Sequence, residues 1–189
     1  ADGSTVTVQM MHNHPDHDDP DSKLGYAEGP GYQAVTLPYR GGALAFTVIL
    51  PTAGKSTDTL DASTIAAVTK KIQPEYISIA MPRFTTKSTL DLNEPLKALG
   101  MATAFNGADF SGITTDEPLA IQTVQHETFV QVDEHGTVAA AASGVGMKAT
   151  SAPQQRSMVV DRPFLFVVTD TATGAQLFLG RIADPTATS

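Results

Sequence analysis

The sequence predicts an α+β fold of mainly antiparallel sheets with a few helices. Three observations lead there. Apolar and polar residues alternate in several short runs, the period of a half-buried strand. Two pairs of such runs are joined by short, glycine-containing connections, which link antiparallel neighbours. Only two segments space their apolar residues by three and four, the helical period.

The elements follow in order. Residues 4–11 alternate, with Val6, Val8 and Met10 on one face and Thr5, Thr7 and Gln9 on the other, so a strand is expected there. Residues 12–30 are rich in Asp, Pro and Gly and read as a polar loop. Residues 33–38 and 43–50 read as two strands joined at Tyr39-Arg40-Gly41-Gly42, where the glycine pair allows a tight turn. Pro51-Thr52-Ala53-Gly54 ends the second strand. Ile65, Val68 and Ile72 mark a helix, with Asp61 or Ser63 as its cap and Pro74 as its stop. Ile77, Ile79 and Met81 alternate up to Pro82. Leu92, Leu96 and Leu99 mark a second, short helix, with Asn93 as cap, Pro95 in its first turn and Gly100 at its C-terminal end. Residues 124–132 alternate as a long strand, and residues 164–169 and 176–180 read as a closing hairpin around 170–174.

At 189 residues, with no fixed-period repeat and no long linker, residues 1–189 read as one domain. The formal charge, 12 − 20 = −8, argues against nucleic acid or an anionic membrane as partner. No apolar run approaches the roughly 18 residues a bilayer span needs. The start, Ala-Asp-Gly-Ser, lacks the basic and apolar regions of a signal peptide. With no cysteine there is no disulfide or thiol chemistry, and the compartment stays open. No Gly-x-Ser-x-Gly elbow is present, and Gly144-Val145-Gly146 lacks the third glycine of a dinucleotide loop. Neither a hydrolase nor a cofactor is expected.

Three clusters need individual readings. His12, His14 and His17 stand among Asp16, Asp18, Asp19 and Asp21, residue types that can ligate Zn²⁺ or Cu²⁺. Their spacing matches no metal motif and the segment reads as a solvated loop, so no metal site is expected, these three being the only candidates. His126 shares a strand face with Val124, Thr128 and Val130 and reads as a structural, hydrogen-bonded histidine. Ala139, Ala140, Ala141 and Ala142 have high helix propensity. Yet Gly136 precedes them, Gly144 and Gly146 follow, and no apolar stripe continues past them. Local propensity alone gives a short surface helix.

Several motifs together resemble one family. Val132-Asp133-Glu134-His135-Gly136-Thr137-Val138-Ala139-Ala140-Ala141-Ala142-Ser143 resembles the hinge of the serpins. Asp161-Arg162-Pro163-Phe164-Leu165-Phe166, with Leu177-Phe178-Leu179-Gly180-Arg181-Ile182 and Asp184-Pro185, resembles their C-terminal signature. Leu90-Asp91-Leu92, Leu96-Lys97-Ala98-Leu99-Gly100-Met101 and Asp109-Phe110-Ser111-Gly112-Ile113 are similar to the stretch upstream. Leu37-Pro38-Tyr39 and Ile49-Leu50-Pro51 are similar to the central hairpin, and Asp2-Gly3-Ser4 with Met10-Met11 to a strand of sheet C. The resemblance runs along essentially the whole chain, in one order. It implies the C-terminal half of a serpin-like fold. The N-terminal half, with most helices and the first strands of the large sheet A, would be absent from this sequence or a separate chain.

The resemblance also implies a function. Serpins are suicide inhibitors of serine proteases and not enzymes: the protease attacks an exposed reactive-centre loop, and the cleaved loop inserts into sheet A before the acyl-enzyme can hydrolyse. The loop would span residues 136–160. Its hinge would comprise Glu134, Gly136, Thr137, Val138, Ala139, Ala140, Ala141, Ala142 and Ser143. Period two puts Thr137, Ala139, Ala141 and Ser143 on one face of the inserted strand, all small and uncharged. Val138, where the family usually has an acidic residue, and Ser143, where it often has Thr, are departures that leave that face free of bulk and charge. Family spacing places the scissile bond fourteen residues beyond Gly136, at Thr150–Ser151, with Lys148 and Ala149 as alternatives. Thr150 or Ala149 suits an elastase-like or subtilisin-like protease with a small pocket, and Lys148 a trypsin-like one. The alternative is a non-inhibitory serpin fragment that is a protease substrate or binding partner. The family resemblance favours secretion.

Overall fold

The computed structural model describes residues 5–134 and 156–187. In chain order the first elements are β1 (Met10–Asn13), β2 (Leu24–Gly29), β3 (Tyr32–Pro38), β4 (Leu44–Pro51), α1 (Ala62–Lys71), β5 (Gln73–Glu75) and β6 (Ile77–Pro82). There follow β7 (Phe84–Asp91), α2 (Asn93–Leu96), α3 (Ala102–Phe105), β8 (Gln125–Val132), β9 (Arg156–Val159), β10 (Phe164–Asp170) and β11 (Gln176–Ile182). The chain divides into two compact units, Ala1–Phe84 with Gln131–Ala187, and Thr85–Val130 with the last two residues.

The first unit is built on a six-stranded sheet in the order β11-β10-β4-β3-β2-β5, antiparallel at every pairing. β4 is central because its residues are apolar almost throughout, the pattern of a strand covered on both faces. On one face Phe46 stacks on Phe166 with ring centroids 5.5 Å apart, and Phe84 and Phe164 complete an aromatic cluster. On the other, Ala34, Ile49 and Val167 pack against Ile65 and Val68 of α1. Asp61 caps α1 as expected: its Oδ1 accepts from the backbone N–H of Thr64 at 2.8 Å. Ser63 instead donates its hydroxyl to that same carboxylate. The β3–β4 turn uses positive φ at Gly41 and Gly42, 88° and 71°. The second sheet of this unit has the order β1-β6-β9, with β1 antiparallel and β9 parallel to β6.

The hairpins and α1 agree with expectation; the chain start does not. Residues 5–9 carry no strand, and β1 begins only at Met10, opposite Pro82. One further backbone bond follows, from Arg83 N–H to Gln9 O at 3.2 Å, and residues 5–8 run on without strand pairing. The expected loop of residues 12–30 contains β2, whose Leu24, Tyr26 and Ala27 are buried. Gly25, Glu28 and Gly29 hide that strand from pattern reading. β5, β7 and β9 were not expected either.

β7 and β8, most of whose residues belong to the second unit, form a two-stranded sheet. The expected second helix is broken into α2, a π turn at Lys97–Met101 and α3, with Gly100 at φ 103° inside the run rather than after it. Asn93 does not cap α2. Its Oδ1 accepts from Val124 N–H at 2.8 Å and its Nδ2 donates to Gln122 O at 3.0 Å, tying the helix start to the segment before β8.

Candidate functional site

β8 alternates to its end, where Val132 turns into the core of the first unit and is 2% exposed. Two residues on stands Glu134, the first residue of the expected hinge. Arg83, just beyond β6, donates from Nε to Glu134 Oε1 at 2.8 Å and from its terminal nitrogen to the same oxygen. Both side chains stay partly exposed. Glu134's own backbone N–H, and then Arg83, hold its carboxyl below the usual glutamate range.

The chain is described again at Arg156, the first residue of β9. Arg156 lies over the Tyr26 ring, 5.2 Å from its centroid, with its NH1 nitrogen 3.4 Å from Glu28 Oε1. Tyr26 donates its hydroxyl to Glu28 Oε2 at 2.7 Å, and Gln33 Nε2 donates to the Tyr26 oxygen at 3.3 Å. The Tyr26 hydrogen bond and the nearby guanidinium lower the Glu28 carboxyl, whereas burial and then Glu28 raise the Tyr26 hydroxyl. Behind Arg156, Met158 is fully buried. The segment 135–155 is therefore flanked on both sides by guanidinium–carboxylate pairs within one unit.

Of the expected site residues, Glu134 falls among the described ones. Gly136, Thr137, Val138, Ala139, Ala140, Ala141, Ala142, Ser143, Lys148, Ala149, Thr150 and Ser151 lie outside them, as does the alanine-run helix. His126 Nε2 is 2.9 Å from Thr128 Oγ1, a local pair on one strand face. Among the described residues, no group of three or more His, Asp or Glu side chains could hold a metal ion. His12 and His14 are neighbours, and His17 lies against Tyr76 instead. The reading of residues 12–17 as a loop is corrected in part, since His12 belongs to β1. Arg83, Arg156, Tyr26 and Glu28 were missed. A lone arginine after a strand proline carries no sequence signal, and its partner stands 51 positions away.

Comparison with known proteins agrees with this architecture. The family model described as Serpin (serine protease inhibitor) matches residues 1–185. An uncharacterised serpin-like protein of Thermococcus kodakarensis is 36% identical over 98% of this chain and 43% of its own length. Plasminogen activator inhibitor 1 of Neovison vison is 32% identical over 98% of the chain and 47% of its own length. The chain thus spans less than half the length of these curated relatives. The crystal structure of a thermophilic serpin, Tengpin, in its native state superposes with a TM-score of 0.75 at 28% identity, covering 96% of this chain and 47% of that one. The fold and these matches place this chain in the serpin family.

Proposed function

We propose that the chain is the loop-bearing part of a suicide inhibitor of serine proteases, with residues 1–189 as a portion of one serpin domain and residues 136–160 as its reactive-centre loop. The observation that carries the reading is the run after Glu134: a pivot glycine, then Thr137 to Ser143 without bulk or charge, between two ends anchored at Arg83 and Glu28. Such a run can be mobile before cleavage and a buried strand afterwards. Insertion also requires a strand edge, and among the described residues β8 has one strand partner, β7.

In this mechanism the protease serine attacks the Thr150 carbonyl. An ester forms as the Thr150–Ser151 amide breaks, and Ser151 leaves as a free amine protonated by the protease histidine. The chain supplies no catalytic residue. Its contribution is the strand that carries Thr150 away before water hydrolyses the ester. A small-pocket, elastase-like or subtilisin-like protease is the preferred target. Lys148 offers a trypsin-like enzyme a site two residues earlier, roughly 6–7 Å less of inserted strand at about 3.3 Å per residue.

The test is incubation of the complete inhibitor with a small-pocket serine protease, followed by denaturing electrophoresis and mass spectrometry. A covalent complex that releases a peptide beginning at Ser151 is the expected result. Cleaved chain without complex would establish the substrate reading instead. A peptide beginning at Ala149 from a stable complex would move the bond to Lys148.

A further inference from the structure

His12 lies on β1 and His14 one residue beyond its end, and both side chains are exposed. Period two puts positions i and i+2 of an extended chain on one face. The two rings stand 6.1 Å apart, centroid to centroid, with their planes only 12° from parallel. Each ligating lone pair lies in its ring plane, so the rings must turn edge-on for one nitrogen of each to share an ion at about 2.0–2.1 Å, a side-chain rotation open to exposed residues.

The second nitrogen of His14 is already engaged. Its Nδ1 lies 3.4 Å from Ser78 Oγ on β6, a long hydrogen bond. Donation from Nδ1 would leave the Nε2 lone pair available, the arrangement by which a supporting hydrogen bond orients a metal-ligating histidine. The local charge also suits a cation. Asp16, Asp18, Asp19 and Asp21 follow at once, all exposed, in a chain of formal charge −8. His17 does not belong to this arrangement, because its ring packs on Tyr76 with centroids 4.5 Å apart.

We propose that His12 and His14 form a two-imidazole surface site for a divalent transition-metal ion, with water filling the remaining positions. Imidazole ligands favour Zn²⁺, Ni²⁺ and Cu²⁺ over the oxygen-seeking Ca²⁺ and Mg²⁺. β1 is an edge strand of the β1-β6-β9 sheet, so an ion held by the native strand stabilises that sheet by mass action.

Calorimetric titration of the full chain with NiCl₂, with CaCl₂ as control, tests the site. The expected result is one saturable Ni²⁺ site, at least tenfold weaker in His12→Ala and in His14→Ala and within twofold of the parent in His17→Ala. Electron paramagnetic resonance of the Cu²⁺-loaded chain should show two nitrogen ligands, and the His12→Ala/His14→Ala double variant should lose that signal. Metal-free variants whose circular dichroism matches the parent's separate lost binding from lost folding; should an alanine variant not fold, His12→Gln and His14→Gln take its place. Absence of saturable Ni²⁺ binding, parent-like affinity in the double variant, or equal weakening by His17→Ala overturns the site.

Discussion

β4 and β8 have the same length, eight residues each, and opposite fates. β4 lies between β3 and β10 and is buried from Ala45 onward. β8 has one strand partner among the described residues, and its Phe129 is 62% exposed. β4 is apolar on both faces, so only a position with neighbours on both sides and layers above and below satisfies it. β8 alternates Gln125, Glu127, Phe129 and Gln131 against His126, Thr128, Val130 and Val132. A finished core is thus built around β4. The strand leading to the proposed hinge keeps the surface and the edge that a later strand could use.

Breaking this contrast should first show in stability. Phe46→Ala removes a fully buried ring from the aromatic cluster and should cost about 3–5 kcal/mol, measured by denaturant unfolding. Phe129→Ala on β8 should change stability by less than about 0.5 kcal/mol. Equal effects would refute the contrast between the strands.

The next effect concerns function. In the complete inhibitor, Thr137→Arg would force a guanidinium into the sheet during insertion, opposing that step by about 3–5 kcal/mol. Cleavage of the exposed loop should proceed unhindered, so product should shift from covalent complex to cleaved chain on a gel. An unchanged ratio would remove Thr137 from the inserting face.

Smaller again is Gly180→Ala. The Phe166 ring lies directly over Gly180, where a new Cβ would overlap it. A loss of about 1–3 kcal/mol is expected, because the ring must leave its stack with Phe46. An unchanged melting temperature would show that the ring moves freely.

Asp61→Ala should lower the melting temperature by roughly 2–4 °C through the lost cap. Its carboxyl is held down to about 2, from 3.8, by hydrogen bonds from Ser63 and Thr64. A depressed carboxylate stabilises fully above its unfolded value and loses that contribution as pH falls through the folded one. The gap between parent and variant should therefore narrow from pH 4 to pH 2. Last comes Arg83→Gln, which should move the melting temperature by less than about 2 °C, since the pair with Glu134 is half-exposed and screened by salt. A larger shift would mark the pair as a structural lock on the hinge.

The elements legible in the sequence are those whose signal is local. The β3–β4 hairpin, α1 with its Asp61 cap, β6, β8 and the β10–β11 hairpin all declare themselves within about ten residues, through periodicity, a turn or a cap. The proposed hinge run, Gly136 to Ser143, lies outside the described residues and stays a reading of the sequence. Tertiary structure decided what depends on distant partners. β2 is a strand because α1, β3 and β5 cover a sequence too rich in glycine to announce one. The chain start alternates without a strand, because alternation holds a strand only where a partner ladder runs beside it, and here the pairing fades beyond Gln9. Arg83 meets Glu134, and Arg156 meets Glu28 and Tyr26, only because sheet order brings remote positions together. An ion pair or a covered face belongs to two segments at once, and a pattern read along one segment holds half of it.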